Sequence, residues 1–420
     1  MISASKLNVR ITFLIGLGMF ASSICWSIYN AYVPIILEQY VPNVTLLGVV
    51  MAVDNMFGVF LQPVFGIWSD RINTRLGRRI PFIIVGAPVA AVLFVVVPYS
   101  TSLAGLMLTV ISFNVMMVTW RAPIVALMPD MTPSIHRSKA NGIINTMGGI
   151  GAVVAFLVGG ILYNIGGMPM PFLVASLGMS MCTLLMAIFV RERRIREQLG
   201  IRDTPVGEKP RLEKTQMSRE ELRSLVFIIL AIFFCYFGFN SIETYFTLFA
   251  TKRFDISAGD ASMLMTIFPL AFFITAVPMG ILATRIGRKR VLQLGIAVNF
   301  IAFIAAYFVT NMYLVGALLV LVGIFWGGIV VNALPMVVEW GGETRAGLYT
   351  SIYYLFTGPA GMLSPIAFGI VYDLTKSYDN IFLFCNAAFI IAFICLLFVR
   401  HGEADMGATR NAEAGNVQPL

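Results

Sequence analysis

Twelve stretches of roughly twenty apolar residues dominate this 420-residue sequence. A helix of about twenty residues is long enough to cross the ~30 Å hydrocarbon core of a bilayer. We therefore predict an all-α integral membrane protein with twelve transmembrane helices. The predicted spans are residues 11–38, 46–68, 80–98, 102–127, 140–163, 170–190, 224–250, 260–283, 290–309, 312–338, 346–371 and 379–399.

The composition agrees with this prediction. Hydrophobic residues make up 58% of the chain and charged residues only 12%, which is unlike an ordinary soluble domain. All five cysteines fall in apolar stretches, which favours a packing role over a disulfide framework. The net charge of +8 is divided among loops rather than gathered on one face, so we expect no nucleic-acid partner.

A strongly basic turn lies between the second and third spans. It holds Arg71, Arg75, Arg78 and Arg79 beside a single carboxylate, Asp70. Short loops rich in Lys and Arg remain in the cytoplasm. With this loop inside, 25 of the 29 Lys and Arg residues fall on the same side. We therefore expect a multi-pass protein of the plasma (inner) membrane with both termini in the cytoplasm.

The chain also carries an internal repeat. Residues 285–289 repeat the pattern of residues 75–79 at a distance of 210 positions, half the length of the chain. Residues 160–164, Gly-Ile-Leu-Tyr-Asn, are likewise matched by residues 369–373, Gly-Ile-Val-Tyr-Asp. The repeat predicts two pseudo-symmetric six-helix bundles, the architecture of alternating-access carriers that bind substrate between their halves. The predicted parts are bundles at 1–190 and 224–402, a cytoplasmic linker at 191–223, read as a solvated tether, and a cytoplasmic tail at 403–420.

Three ionisable residues lie inside predicted spans: Asp54, Arg121 and Glu243. A charge in hydrocarbon costs several kcal/mol on most scales, so each is a candidate functional residue. If one carboxylate pairs with Arg121, the other is free to carry a proton, since burial favours the neutral form of a carboxyl group. We predict proton coupling by these three residues. A static ion pair that holds helices together is the alternative.

Polar and aromatic residues around these charges predict a substrate site. In the seventh span, residues spaced three or four apart place amide, carboxyl and hydroxyl groups on one helical face. Tryptophans on the first, fourth and tenth spans add aromatic surfaces, which suit the apolar faces of sugars. Each tryptophan could equally be a packing residue. The predicted substrate-binding residues are Trp26, Tyr29, Asn30, Asn114, Trp120, Arg121, Tyr236, Asn240, Glu243, Thr244, Trp326 and Asn332.

The basic turn is also a candidate gate. Carboxylates at Asp70 and Asp130 stand at the cytoplasmic ends of the second and fourth spans, where charge-assisted bonds to nearby arginines would hold the cytoplasmic side shut. Topological charge alone is the simpler alternative. The predicted gate residues are Gly66, Asp70, Arg71, Arg75, Gly77, Arg78, Arg79, Asp130 and Arg137.

Two segments resemble a known transporter family. Residues 63–71 (PVFGIWSDR) and 75–83 (RLGRRIPFI) resemble a loop of the sucrose and glycoside:cation symporters of the major facilitator superfamily, and residues 121–142 resemble the signature that joins helices 4 and 5 of these carriers. The resemblance implies the major facilitator fold and a sugar carrier coupled to protons or sodium. Gly58 and Gln62 replace the two carboxylates of melibiose-type members. This difference favours protons over sodium as the coupling ion.

Several functions stay open at this stage. The favoured one is proton-coupled symport of a sugar such as sucrose, maltose or a related glycoside. The first alternative is a proton-driven exporter of drugs or amphipathic small molecules, and the second is a sugar sensor that does not transport. An enzyme is disfavoured because the sequence has no G-x-S-x-G, H-E-x-x-H or P-loop motif. We expect no cofactor and no metal, and a monomer whose partners are its sugar substrate and the lipid bilayer.

Overall fold

The computed structural model describes residues 7–72, 74–133, 136–193, 195 and 218–399. Within these residues, twelve helices are long and apolar enough to cross a membrane, which confirms the predicted fold class. The helices are α1 Val9–Glu38, α2 Val44–Arg71, α3 Ile80–Val96, α4 Leu103–Met131, α5 Arg137–Gly166, α6 Pro169–Phe189, α7 Arg219–Phe254, α8 Ala258–Ile286, α9 Arg288–Phe308, α10 Met312–Val338, α11 Gly342–Thr375 and α12 Asn380–Leu397.

Some helix bounds differ from the predicted spans. Helix α7 begins at Arg219, before the predicted start at residue 224, because Ser218 and Glu221 form a capping box there. Helix α8 is interrupted at Thr266 and consists of the segments Ala258–Met265 and Ile267–Ile286. Pro269 lies just after the interruption. Because proline has no amide hydrogen, it cannot donate to the carbonyl oxygen four residues earlier, which weakens the helix at this point.

Polar caps define where many of the helices begin. The side chains of Asn43, Ser102, Ser257 and Asn311 each accept a hydrogen bond from a backbone amide in the first turn of the following helix. Such caps satisfy amides that have no partner within the helix. The loops between apolar spans are therefore specified by short polar residues as well as by charge.

The twelve helices form two halves, α1–α6 and α7–α12. In the first half α1 packs against α5 and α6, and α3 packs against α4 and α6. In the second half α7 packs against α11 and α12, and α10 packs against α8 and α9. Helix α2 against α11 and helix α5 against α8 join the halves. Most of the predicted linker and all of the predicted tail lie outside the described residues.

We call the end where α2 ends and α3 begins the basic end, and the end where α2 begins the opposite end. The predicted repeat has a structural counterpart at the basic end. Arg78 Nη2 lies 3.7 Å from Asp130 Oδ2 in the first half. In the second half Arg288 forms an ion pair with Glu339, at the positions that the repeat relates to Arg78 and Asp130. The two halves thus use equivalent pairs to join their third helix to their fourth.

Candidate substrate and coupling site

The three intramembrane charges lie together between the two halves. Asp54 on α2, Arg121 on α4 and Glu243 on α7 are each half-buried. Asp54 is close enough to interact electrostatically with both Arg121 and Glu243. The structure therefore brings together the three residues that the sequence nominated for coupling. Whether they carry protons stays a prediction.

Glu243 is bonded across the boundary between the halves. The side-chain amide of Asn30, on α1, donates a hydrogen bond of 3.2 Å to Glu243 Oε1, on α7. A hydrogen bond to an ionised acceptor is stronger than one between neutral groups. Because its donor belongs to the other half, the surroundings of Glu243 must change when the halves move apart at this depth.

Asp54 is bonded within its own helix. The backbone amide of Asn55 and the side-chain amide of Asn55 both donate to Asp54 Oδ1, at 2.5 and 2.9 Å. Asn55 also reaches the second half, where a Cβ added to Gly361 would lie 3.0 Å from Asn55 Oδ1. Asn55 was not among the residues predicted from the sequence. Its position directly after an intramembrane aspartate was the available signal.

Arg121 has neither carboxylate as an ion-pair partner. Its guanidinium carbon lies 5.8 Å from the centre of the Trp26 ring, which is within cation–π range. Among the described residues, Arg121 Nε has no hydrogen-bond partner. Tyr354 of α11 is near enough to interact electrostatically with Arg121, and this tyrosine is 60% exposed. Arg121 is therefore held by an aromatic face and remains available to bind a further group.

Two predicted substrate residues form the wall behind Trp26. Tyr29 stacks on Phe113, and its hydroxyl accepts a 3.3 Å hydrogen bond from the side-chain amide of Asn114. Tyr29 and Asn114 are both fully buried. Trp26 meets the Tyr29 ring edge to face, with the ring centres 5.6 Å apart. Tyr29 and Asn114 therefore bond to each other behind Trp26, and Asn114 Oδ1 is buried without a hydrogen-bond partner among the described residues.

Three more predicted substrate residues belong to helix packing. Trp120 is fully buried, and a Cβ added to Gly86 of α3 would lie 3.0 Å from its Cβ. Trp326 is 5% exposed and stacks on Phe239 with ring centres 3.9 Å apart. Asn332 donates to the carbonyl oxygen of Gly328 in its own helix. Residue type and span alone do not distinguish a side chain in the cavity from one packed against a neighbouring helix.

Several polar side chains on the predicted inner face of α7 form hydrogen bonds within that helix. Asn240 donates to the carbonyl oxygen of Tyr236, and Thr244 donates to the carbonyl oxygen of Asn240. The hydroxyl oxygens of Tyr236 and Tyr353 lie 2.9 Å apart. The sequence analysis missed both Tyr353 and its neighbour Tyr354, although consecutive tyrosines in the eleventh span were visible in the sequence.

Arg79 is the centre of the basic loop. Its guanidinium pairs with Asp70 and donates to Asp130 Oδ2 at 3.1 Å. It also donates to Ser69 Oγ and, at 3.1 Å, to the carbonyl oxygen of Gly66. All of these partners belong to the first half. Four of the predicted gate residues, Gly66, Asp70, Arg79 and Asp130, thus form a cluster, and in this conformation it joins helices within one half.

The other predicted gate residues have simpler positions. Arg137 donates to the carbonyl oxygens of Thr132 and Pro129 rather than to a carboxylate. Arg71 and Arg75 are exposed, as expected for topological charge.

Glu192, just after α6, is fully buried at the basic loop and was missed by the sequence analysis. Its carboxylate accepts hydrogen bonds from the backbone amides of Arg78, Arg79 and Ile80, at 2.9, 2.8 and 3.2 Å. These are the orphan amides at the start of α3. Gly77 has φ +119°, and a Cβ there would overlap Glu192 Oε2. Glycine is therefore required at this position for the loop to wrap the carboxylate.

Sequence comparison decides the family. The sequence model of the Major Facilitator Superfamily matches residues 15–257 and 228–418. The chain belongs to this superfamily. Its twelve helices in two halves are thus the major facilitator fold, and it is a secondary transporter that moves small molecules across a membrane.

Its similarity to individual transporters is distant. The class H tetracycline resistance protein of Pasteurella multocida is 23% identical over 373 residues, 88% of this chain and 90% of the relative. The proton-associated sugar transporter A of Rattus norvegicus is 28% identical over 221 residues, 46% of this chain and 28% of the relative. A bacterial homologue of the lysosomal transporter Spinster, solved in an inward-facing and occupied conformation, superposes with a TM-score of 0.69 at 13% identity, covering 98% of this chain and 99% of that one.

Proposed function

We propose that this major facilitator is a proton-coupled symporter of a sugar, such as sucrose, maltose or a related glycoside, and that it works by alternating access. The observation that carries the proposal is the hydrogen bond from Asn30 to Glu243 across the two halves, with Asp54 and Arg121 beside it. A carboxylate whose partner belongs to the other half changes environment whenever the halves rearrange. Such a change is what a coupling residue needs.

Charge balance supports proton coupling. Two carboxylates and one guanidinium share the site, so at least one carboxylate has no opposite charge to neutralise it. Binding a proton removes that excess charge before the halves rearrange around the site. A carrier without a nucleotide site needs such a gradient to transport its substrate uphill.

The basic end is the cytoplasmic end in this proposal, and the membrane is the plasma (inner) membrane. The excess of Lys and Arg in the loops at that end supports this orientation. Among the hydrogen bonds and ion pairs that join described residues, those between the halves lie from the middle of the spans to the opposite end. We infer that the conformation is inward-facing and exchanges substrate with the cytoplasm.

The groups beside Arg121 and the two carboxylates support a polar substrate with apolar faces. Trp26 and Tyr354 provide aromatic surfaces, and Asn30 and Asn55 provide amides. Sugars combine C–H faces with many hydroxyl groups, and mixed sites of this kind suit them. The partial match to the proton-associated sugar transporter A also favours this reading.

Export of amphipathic compounds is the second candidate. The relatives matched over most of their length include the class H tetracycline resistance protein and multidrug resistance protein 2 of Bacillus subtilis. The burial of Tyr29, Asn114, Trp120 and Trp326 also leaves the site fewer free sugar-binding groups than the sequence predicted. A proton-driven exporter could use the same three charges.

Transport by purified protein in proteoliposomes tests both candidates. Labelled sucrose, maltose and tetracycline are each offered with an imposed proton gradient, with an imposed sodium gradient, and with neither. Sugar accumulation driven by the proton gradient and abolished by a protonophore is the expected result. Proton-driven movement of tetracycline without sugar uptake would favour the exporter, and saturable sugar binding without uptake would favour the sensor. Accumulation with sodium alone would contradict proton coupling.

A further inference from the structure

We propose that the repeated five-residue segment, residues 160–164 and 369–373, forms a two-part latch that holds the halves together at the opposite end. The first segment ends α5, and the second lies near the end of α11. We call them the first and second latch segments. Each one forms hydrogen bonds with the beginning of a helix in the other half. This contact does not depend on which substrate is carried.

The second latch segment uses a carboxylate. Asp373 accepts hydrogen bonds from the backbone amides of Val44 and Thr45, at 3.0 and 2.9 Å, and from the Thr45 hydroxyl at 2.5 Å. Val44 and Thr45 are the first two residues of α2, whose amides have no partner within the helix. The positive end of the α2 dipole also favours a carboxylate here. A side chain of the second half thus caps a helix of the first.

The first latch segment uses an amide at the matching position. The Asn164 side chain donates to Asp260 Oδ1 and accepts from Ser257 Oγ, each at 2.8 Å. Ser257 is the N-cap of α8, and Asp260 lies in the first turn of that helix. A side chain of the first half therefore forms hydrogen bonds with the start of a helix in the second half.

The glycine that opens each latch segment allows the backbones to approach. A Cβ added to Gly160 would lie 2.5 Å from the carbonyl oxygen of Gly259, and one added to Gly369 would lie 2.6 Å from the carbonyl oxygen of Val44. Both clashes involve the backbone of the other half, which cannot move aside as a flexible side chain can. Both copies of the repeat therefore contain the small residue and the polar residue that this contact needs.

The geometry gives the two segments one shared role. The repeat relates α5 to α11 and α2 to α8. The contact of α5 with α8 is therefore equivalent to the contact of α11 with α2. The charged cluster around Arg79 at the basic end joins helices of one half, whereas both latch segments join different halves. The opposite end can open only if both segments release their partners.

Double electron–electron resonance, which measures the distance between two spin labels, tests the latch. The labels are placed at Thr101 and Thr310, which are exposed at the opposite end of the first and second halves. The five native cysteines are replaced first. The labelled protein with both latch segments unaltered is expected to give mainly the short distance between the labels, which corresponds to a closed opposite end. The double variant Asp373→Ala with Asn164→Ala is expected to raise the long-distance fraction at least threefold.

A matched control separates the latch from a general loss of charge. Asp379 lies at the same end and pairs with Arg253 of its own half at 2.9 Å. The Asp379→Ala variant should leave the distances unchanged. Gly369→Ala should open the end through its clash alone and provides a second route if the double variant fails to fold. Unchanged distances in both latch variants, or an equal shift in Asp379→Ala, would overturn the proposal.

Discussion

Asn30 donates a 3.2 Å hydrogen bond to Glu243, and this bond joins α1 of the first half to α7 of the second. A hydrogen bond to a charged group contributes ~1.5 kcal/mol, which corresponds to about a tenfold change in a rate or equilibrium constant. We expect Asn30→Ala to lower the initial rate of proton-driven uptake by about tenfold. Asn30→Asp should lower it further because it places a third carboxylate at the site.

Ser241 supplies the control for this variant. It lies two residues from Glu243, and its hydroxyl donates to the carbonyl oxygen of Gly238 in the same helix. Ser241→Ala should transport at nearly the normal rate. If Ser241→Ala and Asn30→Ala transport equally, the bond across the halves has no role in coupling.

Neutral variants of the two carboxylates should separate coupling from substrate movement. Glu243→Gln keeps the shape of the side chain and still accepts the hydrogen bond from Asn30, but it cannot carry a proton. We expect it to lose at least nine-tenths of the uphill accumulation while retaining exchange of labelled for unlabelled substrate at equal pH. Asp54→Asn is measured in parallel, and a variant that still accumulates substrate excludes that carboxylate as the carrier.

Loss of the buried carboxylate at the basic loop should reduce stability. Glu192 accepts three backbone hydrogen bonds at the start of α3 and is fully buried. Glu192→Gln leaves at least one of these amides facing an NH₂ group, so we expect a loss of about 2 kcal/mol of unfolding free energy. The melting temperature of the protein in detergent should fall by several degrees. The exposed Glu220 is the control, and Glu220→Gln should melt within about one degree of the parent.

Gly66 tests the predicted cytoplasmic gate. A Cβ added to Gly66 has no atom within 4 Å in this conformation, and the same holds for Gly178 on α6. Both alanine variants should therefore fold normally, with the small gain expected for alanine inside a helix. If α2 packs against the second half when the basic end closes, Gly66→Ala will slow transport several-fold while Gly178→Ala will not. Equal rates in both would remove Gly66 from the gate.

Apolar segment length and loop charge were sufficient to predict the twelve helices. The repeat also predicted the two halves, because a 210-residue offset relates the basic turns of equivalent helices. The helix bounds were less predictable. The start of α7 depends on the capping box of Ser218 and Glu221, which lies outside the apolar run, and the interruption of α8 depends on a single proline, Pro269.

Charge within a span predicted which residues lie close together better than side-chain type did. Asp54, Arg121 and Glu243 converge because a charge within a span must find a polar environment. Trp120 and Asn332 were grouped with them by residue type and span, but an aromatic or amide residue on these spans can also pack against other helices of its own half. Glu192 was not predicted because it lies just beyond the sixth span, among other charged residues. Its burial becomes visible only in the folded loop.

The interruption of α8 at Thr266 makes the two contacts between the halves mechanically unequal. The short segment Ala258–Met265, which touches α5, can tilt about the interruption while Ile267–Ile286 stays in its bundle. Helix α2, which touches α11, contains the proline Pro63 within Val44–Arg71. This proline comes after Asp54 along the helix, so Asp54 and the contact residues Val44 and Thr45 belong to the same helical segment. Movement of the short α8 segment can remain local, whereas movement of the start of α2 carries Asp54 with it.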